Sequence, residues 1–432
     1  MNYRSTRGGA PVALEDAIMA GTAPDGGLFV PVELPHFDPA DMPTHVPIHE
    51  LAQLILKPFF DGSQLSGELD EICADAFTFP APLRNIETGT EKLSLLELFR
   101  GPTAAFKDFG ARFLAATMSR IIRQRGNTQP ATVVVATSGD TGGAVAAAFH
   151  KQPGTRVVVL FPEGRVSPRQ EHQLTCWGDN IISLAVKGEF DDCQRLAKEL
   201  FADEAIGAEH NLCSANSINV GRLLPQSVYY AQSSLDYMAA NGEASNYIVP
   251  TGNLGNAFAC AWAKQMGFPV ADMILATNAN RTIPDYLESG NWEPRNSVAT
   301  LASAMDVGNP SNMERLRQLW GDADSLRDHL RSFSVSDAEI RDQIRVEFDR
   351  TGLVCCPHTA TGFHVYQNLP AEDRQKAHWI IVATAHAAKF DEIVEPLVGE
   401  TIPVPDELAR ILEWPSAFDT IEADISEITA RL

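Results

Sequence analysis

The chain has 432 residues, too many for one compact core, and calls for two or three domains. Its composition, 44% hydrophobic and 21% charged, is that of an ordinary folded globular protein. A net charge of −22 excludes a broad cationic face for nucleic acid or an acidic membrane, so any anionic ligand must be held by a local cluster working against the global field. The N-terminal residues Met1 to Gly9 contain no apolar core segment, so no signal peptide is expected. No apolar run approaches the roughly eighteen residues of a membrane span. Seven cysteines without Cys-x-x-Cys spacing read as reduced thiols in a cytoplasmic compartment. Cys355-Cys356 reads as the end of a buried strand, with a redox pair as the alternative.

In chain order, a short helix is predicted around Leu14–Met19, closed by Gly21. Turns at Asp25-Gly26-Gly27 and a proline-rich stretch from Pro31 to Pro47 follow, then a helix over Ile48–Phe60. Residues 1–85 therefore read as a small N-terminal domain. Further on, a helix over Phe109–Gln124 ends at Gly126. The apolar run Thr132–Ala136, a glycine-rich loop over 137–143, a helix over Ala144–His150 and a second apolar run, Val157–Phe161, predict a βαβ unit and a parallel sheet. A second unit begins at Tyr247–Val249, passes a loop over 252–256, and continues as a helix over Ala257–Met266 and a strand over Met273–Thr277. Ser336-x-x-Glu339 is a capping box opening a helix with Ile340, Ile344 and Phe348 on one face, stopped at Gly352. Trp379–Thr384 is one more buried strand. The expectation is an α/β chain with two parallel-sheet domains, over 86–225 and 226–432, closely packed and without a low-complexity linker.

Lys107 sits among aromatic and small residues just after Gly101-Pro102. An ordinary lysine is neutral only about once in 2,500 molecules at pH 7, so a lysine that must act as an amine needs an apolar pocket or a covalent partner. Phe106 and Phe109 flank Lys107 and would supply that pocket. Taken alone, it reads as a surface lysine opening a helix. The loop Thr137-Ser-Gly-Asp-Thr-Gly-Gly143 lies between strand and helix, where free N–H groups and hydroxyls suit an anion; a tight turn with a capping residue is the alternative. The loop Gly252-Asn253-Leu254-Gly255-Asn256 repeats that geometry. Asn216, Ser217 and Arg222 offer an amide, a hydroxyl and a guanidinium for a second dianion, or else a capped helix with a surface ion pair. Thr384 ends a buried strand, where its hydroxyl can reach a ligand, and His386 reads as structural. No His-Glu-x-x-His, Gly-x-Ser-x-Gly or Cys/His cluster occurs, so no metal is expected. One lysine beside anion cradles is what pyridoxal-phosphate chemistry requires.

These residues carry a family resemblance. The chain resembles the threonine synthases, fold-type II pyridoxal-phosphate enzymes, over essentially its whole length. The matching stretches are Tyr3-Arg-Ser-Thr-Arg-Gly8, Asp25-Gly-Gly-Leu-Phe-Val-Pro31, Gly101-Pro-Thr-Ala-Ala-Phe-Lys-Asp108 and Ala136-Thr-Ser-Gly-Asp-Thr-Gly142. They continue with Asn216-Ser-Ile-Asn219 plus Arg222, Pro250-Thr-Gly-Asn-Leu-Gly255, Ala276-Thr-Asn278, Pro310-Ser-Asn312, and Thr384-Ala-His386 with Lys389-Phe390. Their collinear order is what makes the match specific. Ala387 stands where the family usually has proline, and Gly308-Asn309 is a less typical lead into Pro310.

The resemblance implies a fold like that of the tryptophan synthase β chain and pyridoxal 5'-phosphate as cofactor. It implies Lys107 as the Schiff-base lysine and proton shuttle, and Gly252, Asn253, Leu254, Gly255 and Asn256 as holders of the cofactor phosphate. Thr384 would face the pyridine nitrogen and Asp140 the phenolic oxygen. Ser138 and Thr141 would meet the substrate carboxylate; Asn216, Ser217 and Arg222 would take the substrate's phosphate. The implied reaction converts O-phospho-L-homoserine and water to L-threonine and phosphate, in a cytoplasmic monomer or homodimer with no nucleic-acid or membrane partner. A related phospho-lyase or dehydratase releasing 2-oxobutyrate, and a silent cofactor-binding homologue, are the rival readings.

Overall fold

The apolar runs pair into two sheets in the computed structural model, which describes residues 1–88, 91–126 and 129–432. Five parallel strands lie in the spatial order Asp419–Ile421, Ile181–Val186, Thr155–Pro162, Ala131–Ala136 and Leu212–Ser214. Six more run Arg331–Ser334, Val270–Thr277, Ser245–Pro250, Trp379–Ala383, Glu91–Glu97 and Leu83–Thr88, parallel except for the last, antiparallel edge. Every residue of Ala131–Ala136, Ser245–Pro250 and Trp379–Ala383 is buried, as expected of strands covered by helices on both faces. A small antiparallel sheet of Tyr3–Ser5, Gly8–Val12 and Phe29–Pro31 belongs to the N-terminal region. The two larger sheets exchange chain. Glu91–Glu97 pairs with Trp379–Ala383, and Asp419–Ile421 returns to pair with Ile181–Val186.

Two helices start earlier than their apolar faces suggest, at Lys107 by about half a turn and at Asp140 by about one. Both chemically interesting side chains thus sit on first helical turns, anchored by packed helices. The expected helix Ile48–Phe60 is α-helical only over Ile48–Leu56; Lys57–Phe60 tightens to a 3-10 turn, since Pro58 has no N–H to continue the ladder. The capping box at Ser336 and the left-handed Gly352 close their helix as expected.

Cys355 and Cys356 do not end a strand. Cys356 caps the helix Pro357–Gln367, its sulfur accepting from the Thr359 N–H at 3.5 Å, because Pro357 fits a first helical turn and cannot donate in a ladder. All seven cysteines are buried free thiols. Among the described residues no helix is long and apolar enough to cross a membrane.

Candidate active site

Segment 98–106 has no regular structure, yet it is tightly seamed to the carboxyl end of the Trp379–Ala383 strand. The Leu98 N–H donates to the Ala383 carbonyl (3.0 Å), Phe106 to Thr384 (2.8 Å), and His386 back to Ala104 (3.0 Å). This seam delivers Lys107 beside Thr384 at a strand end, the usual place for ligands in such sheets. The Lys107 side chain is 13% exposed, with Nζ 3.6 Å from Asp140 Oδ2 and 5.4 Å from the Phe106 ring centre. Burial pushes its proton affinity below that of an ordinary lysine; Asp140 opposes this, while Lys389 and Arg222 reinforce it. Phe109 does not line this pocket. Two residues along a helix turn the side chain by about 200°, and Phe109 packs instead on Phe79, Tyr229 and Phe77.

Asp140 opens its helix with Oδ1 accepting from Lys389 Nζ (2.7 Å) and Gln170 Nε2 (3.0 Å). Burial alone would raise its carboxyl, but Lys389, Lys107 and His358 outweigh that and hold it far below the usual carboxylate range. The loop before it is closed by Thr137, whose hydroxyl oxygen accepts from the Gly139 (3.0 Å) and Gly142 (2.9 Å) N–H groups. Ser138 and Thr141 are half-buried, and their hydroxyls meet no partner among the described residues.

Across the cleft, Leu254 holds φ at 64°, a costly conformation for a branched side chain, and from it the helix Gly255–Gln265 sets out. Among the described residues the N–H groups of Leu254, Gly255 and Asn256 find no acceptor. The Asn256 side chain takes both the Tyr229 (2.6 Å) and Tyr230 (2.8 Å) hydroxyls on Oδ1, leaving Nδ2 buried without a partner. Gly252 is required by close approach, because a Cβ there would stand 2.7 Å from the Met305 Cα. Asn253 uses its side chain to bridge loops, donating to Ser217 Oγ (2.7 Å) and accepting from the Ser311 N–H (2.6 Å).

That bridge joins the cradle to the second cluster. Arg222 is 2% exposed; Nη1 donates to the Ala215 carbonyl (2.5 Å), while Nε and the nearby Asn216 Oδ1 are buried without partners. Burial lowers the Arg222 guanidinium to about 10, with Asp108 opposing. Arg315 is also buried, donating to the carbonyls of Phe29 (2.9 Å) and Ile218 (2.6 Å) and to Asn312 Oδ1 (2.6 Å). Neither arginine forms an ion pair among the described residues. Two unneutralised buried cations flanking one loop in an acidic protein mark an anion site.

The structure places Lys107, Asp140 and Thr384 at one seam, with Ser138 and Thr141 in the loop and first turn at Asp140, and 216–222 with 252–256 at a second, while Phe109 lies apart from both. The lysine helix joins them through Gly110, which lies against Arg222. Lys389, Arg315 and His358 were not assigned roles from sequence. Lys389 stands in a matching stretch and Arg315 follows Pro310-Ser-Asn312, but only the fold shows what they touch. A cleft of about 1110 Å³ is lined by Thr6, Arg7 and residues from 309–322, and reaches Ile218 and Ser311 at the edge of the second cluster. No group of three metal-ligating side chains occurs among the described residues. The unpaired amides at 254–256, the partnerless Asn256 Nδ2 and the desolvated Lys107 fit pyridoxal phosphate, which needs an anion cradle and an amine.

Comparisons with known proteins agree. Residues 78–385 match the family described as pyridoxal-phosphate dependent enzyme, residues 2–77 the threonine synthase N terminus, and residues 359–431 the threonine synthase C-terminal region. The chain is 38% identical over 421 residues to the threonine synthase of Haemophilus influenzae, covering 98% of this chain and 96% of that protein. The crystal structure of PLP-bound threonine synthase from Brucella melitensis matches with a TM-score of 0.90 at 33% identity, over 100% of this chain and 98% of that one. The Escherichia coli threonine synthase structure matches at 0.89 and 35%, over 100% of this chain and 99% of that one. The chain belongs to the threonine synthase family of pyridoxal-phosphate-dependent enzymes.

Proposed function

We propose that the chain converts O-phospho-L-homoserine and water to L-threonine and phosphate. The observation that carries this reading is one desolvated lysine near two separate candidate anion sites: the amides at 254–256, without acceptors among the described residues, and Arg222, without an ion pair among them, beside Asn216 and Ser217. When bound, pyridoxal phosphate supplies an aldehyde that condenses with amines and a ring that takes up the electrons left by a departing proton. Gly252, Asn253, Leu254, Gly255 and Asn256 would hold the cofactor phosphate, and Thr384 would offer its hydroxyl to the ring nitrogen. Asp140, held as a carboxylate, would face the phenolic oxygen. Lys107 would hold the cofactor through its amine and serve as the group that moves protons on the substrate's carbon chain; its lowered proton affinity suits both tasks. Ser138 and Thr141 bind the substrate carboxylate. Arg222, Asn216 and Ser217 orient the substrate phosphate and stabilise its charge as it leaves. The same reading places the protein in the cytoplasm as a monomer or homodimer.

Incubating the purified protein with O-phospho-L-homoserine tests this directly. Equal yields of threonine and inorganic phosphate are expected. Release of 2-oxobutyrate in place of threonine would move the chain to the dehydratases, and a borohydride-trapped lysine without turnover would leave a silent binder.

A further inference from the structure

We infer that Lys389 is a positioning residue for the amine of Lys107: by occupying one oxygen of Asp140, it stops that carboxylate from holding Lys107 as an ammonium. The inference rests on Lys107 being the cofactor-bearing lysine. The two oxygens of Asp140 are unequally shared. Oδ1 receives Lys389 Nζ at 2.7 Å and Gln170 Nε2 at 3.0 Å, whereas Oδ2 faces Lys107 Nζ at 3.6 Å. The first is a short charge-assisted hydrogen bond; the second is too long to be one.

Lys389 is built into this position. Its side chain is 0% exposed, and Nζ donates as well to the Thr103 carbonyl at 2.8 Å. Ser167 Oγ donates to the Lys389 carbonyl at 3.0 Å, and Arg169 pairs with Asp391 at 3.0 Å. The helix Pro168–Thr175, which Ser167 caps, also carries Gln170 to Asp140 and Gln173 to the Thr103 carbonyl (3.1 Å). One helix thus fixes Lys389 and both of its acceptors.

Two lysines share one carboxylate here, so one positive charge is left over. The unequal contacts place that shortfall on Lys107. The groups acting on Lys107 are Asp140, which favours its ammonium, and Lys389 and Arg222, which disfavour it together with burial. His358, from the helix Pro357–Gln367, acts on Asp140, and Asp108, held by Thr103, faces the Lys389 side. With Lys389 neutral, Asp140 would turn its whole charge on Lys107. Capture of the cofactor joins the Lys107 nitrogen to the aldehyde carbon and releases one water, and it uses the lone pair that an ammonium lacks.

The test takes the full chain, stripped of cofactor, and mixes it with pyridoxal 5'-phosphate across the range from about pH 6 to about pH 10. Borohydride quenching and peptide mapping give the rate of adduct formation at Lys107 at each pH. In Lys389→Met the midpoint rises by about one pH unit, so capture at pH 7 slows ~tenfold. Lys389→Arg keeps the original midpoint, and adding Asp140→Asn to Lys389→Met brings the midpoint back down. An unchanged midpoint in Lys389→Met, or one that Asp140→Asn fails to lower, overturns the proposal. Should circular dichroism show Lys389→Met unfolded, Lys389→Gln takes its place: a raised midpoint that adding Asp140→Asn lowers is expected, and an unchanged midpoint overturns the proposal. Absence of any Lys107 adduct in the unsubstituted protein is a different failure, which removes the assignment of Lys107 itself.

Discussion

Gly110 and Arg222 touch where the lysine helix crosses the helix Val220–Asn241. A Cβ on Gly110 would stand 2.7 Å from the Arg222 carbonyl oxygen and 2.9 Å from its Nε. Helix propensity alone favours alanine over glycine by about 1 kcal/mol. Overpacking against a backbone oxygen costs roughly 1–3 kcal/mol and should win. Gly110→Ala is therefore expected to lower the thermal midpoint and to cut kcat/KM for O-phospho-L-homoserine ~tenfold or more. Cofactor loading at Lys107 should survive. A variant with a raised midpoint and native kinetics would mean the guanidinium is not set by this contact.

Arg222 itself separates stability from function. It is a buried cation with an unpartnered Nε and no ion pair among the described residues, an arrangement that costs the unliganded fold. Replacement by an apolar side chain of similar length, Arg222→Met, should raise unfolding stability by about 1–3 kcal/mol. The same change should lower kcat/KM by ~100- to 1,000-fold, the usual loss when a donor to developing anionic charge is removed. Inhibition by inorganic phosphate should weaken in parallel. Denaturant titration and steady-state kinetics read both quantities. A fall in stability as large as the fall in activity would make Arg222 a structural staple.

The tyrosine pair beneath the proposed cofactor cradle offers a second separation. Tyr229 and Tyr230 both donate to Asn256 Oδ1, which turns the free Nδ2 away from them. Either hydroxyl alone can keep the amide oriented, so Tyr229→Phe and Tyr230→Phe should each weaken pyridoxal-phosphate binding only slightly. The double variant should weaken it more than the product of the singles, by about tenfold, the worth of one well-placed hydrogen bond to a charged group. Equilibrium cofactor titration measures it, and strictly multiplicative effects would rule out shared orientation.

Much of this site was readable in the sequence because its parts are local. The loops 137–143 and 252–256 lie where a strand meets a helix, and alternation and glycine content mark them. The two buried strands Ala131–Ala136 and Thr155–Pro162 follow from continuous apolar runs. What escaped depends on contacts between distant stretches. Lys389 is an unremarked lysine until Asp140 and Thr103 are folded against it, and Arg315 until Phe29 and Ile218 are. Phe109 was misplaced because adjacency in sequence was read as adjacency in space, which the first turn of a helix undoes. The strand Asp419–Ile421 escaped as well: three residues with only Ile421 buried carry no periodicity to detect.

Asp306 gives the fold a pH dependence that can be signed in advance. Its carboxylate accepts from Thr300 Oγ1 (2.7 Å), Thr300 N–H (3.0 Å) and Asn278 Nδ2 (2.7 Å), closing the irregular stretch whose Met305 backbone presses on Gly252. Burial pushes the Asp306 carboxyl up to about 7, the Thr300 and Asn278 donors pull it down, and Asp337 adds to the rise. In the unfolded chain the same group titrates near 3.8. Between those values the folded protein keeps a proton that the unfolded chain has released. This contribution to stability is therefore fully present below about pH 4, is lost as the pH rises through about 7, and is flat above that. Asp306→Asn cannot titrate and should remove this slope: losing an acceptor for the Thr300 donors makes it less stable than the parent at low pH, and the gap closes as the parent's Asp306 ionises. Urea midpoints for both proteins at several pH values across that window decide the matter, because every other titrating group is common to the two. Parallel curves would show that Asp306 stays ionised throughout and that the loop over Gly252 is held without a proton.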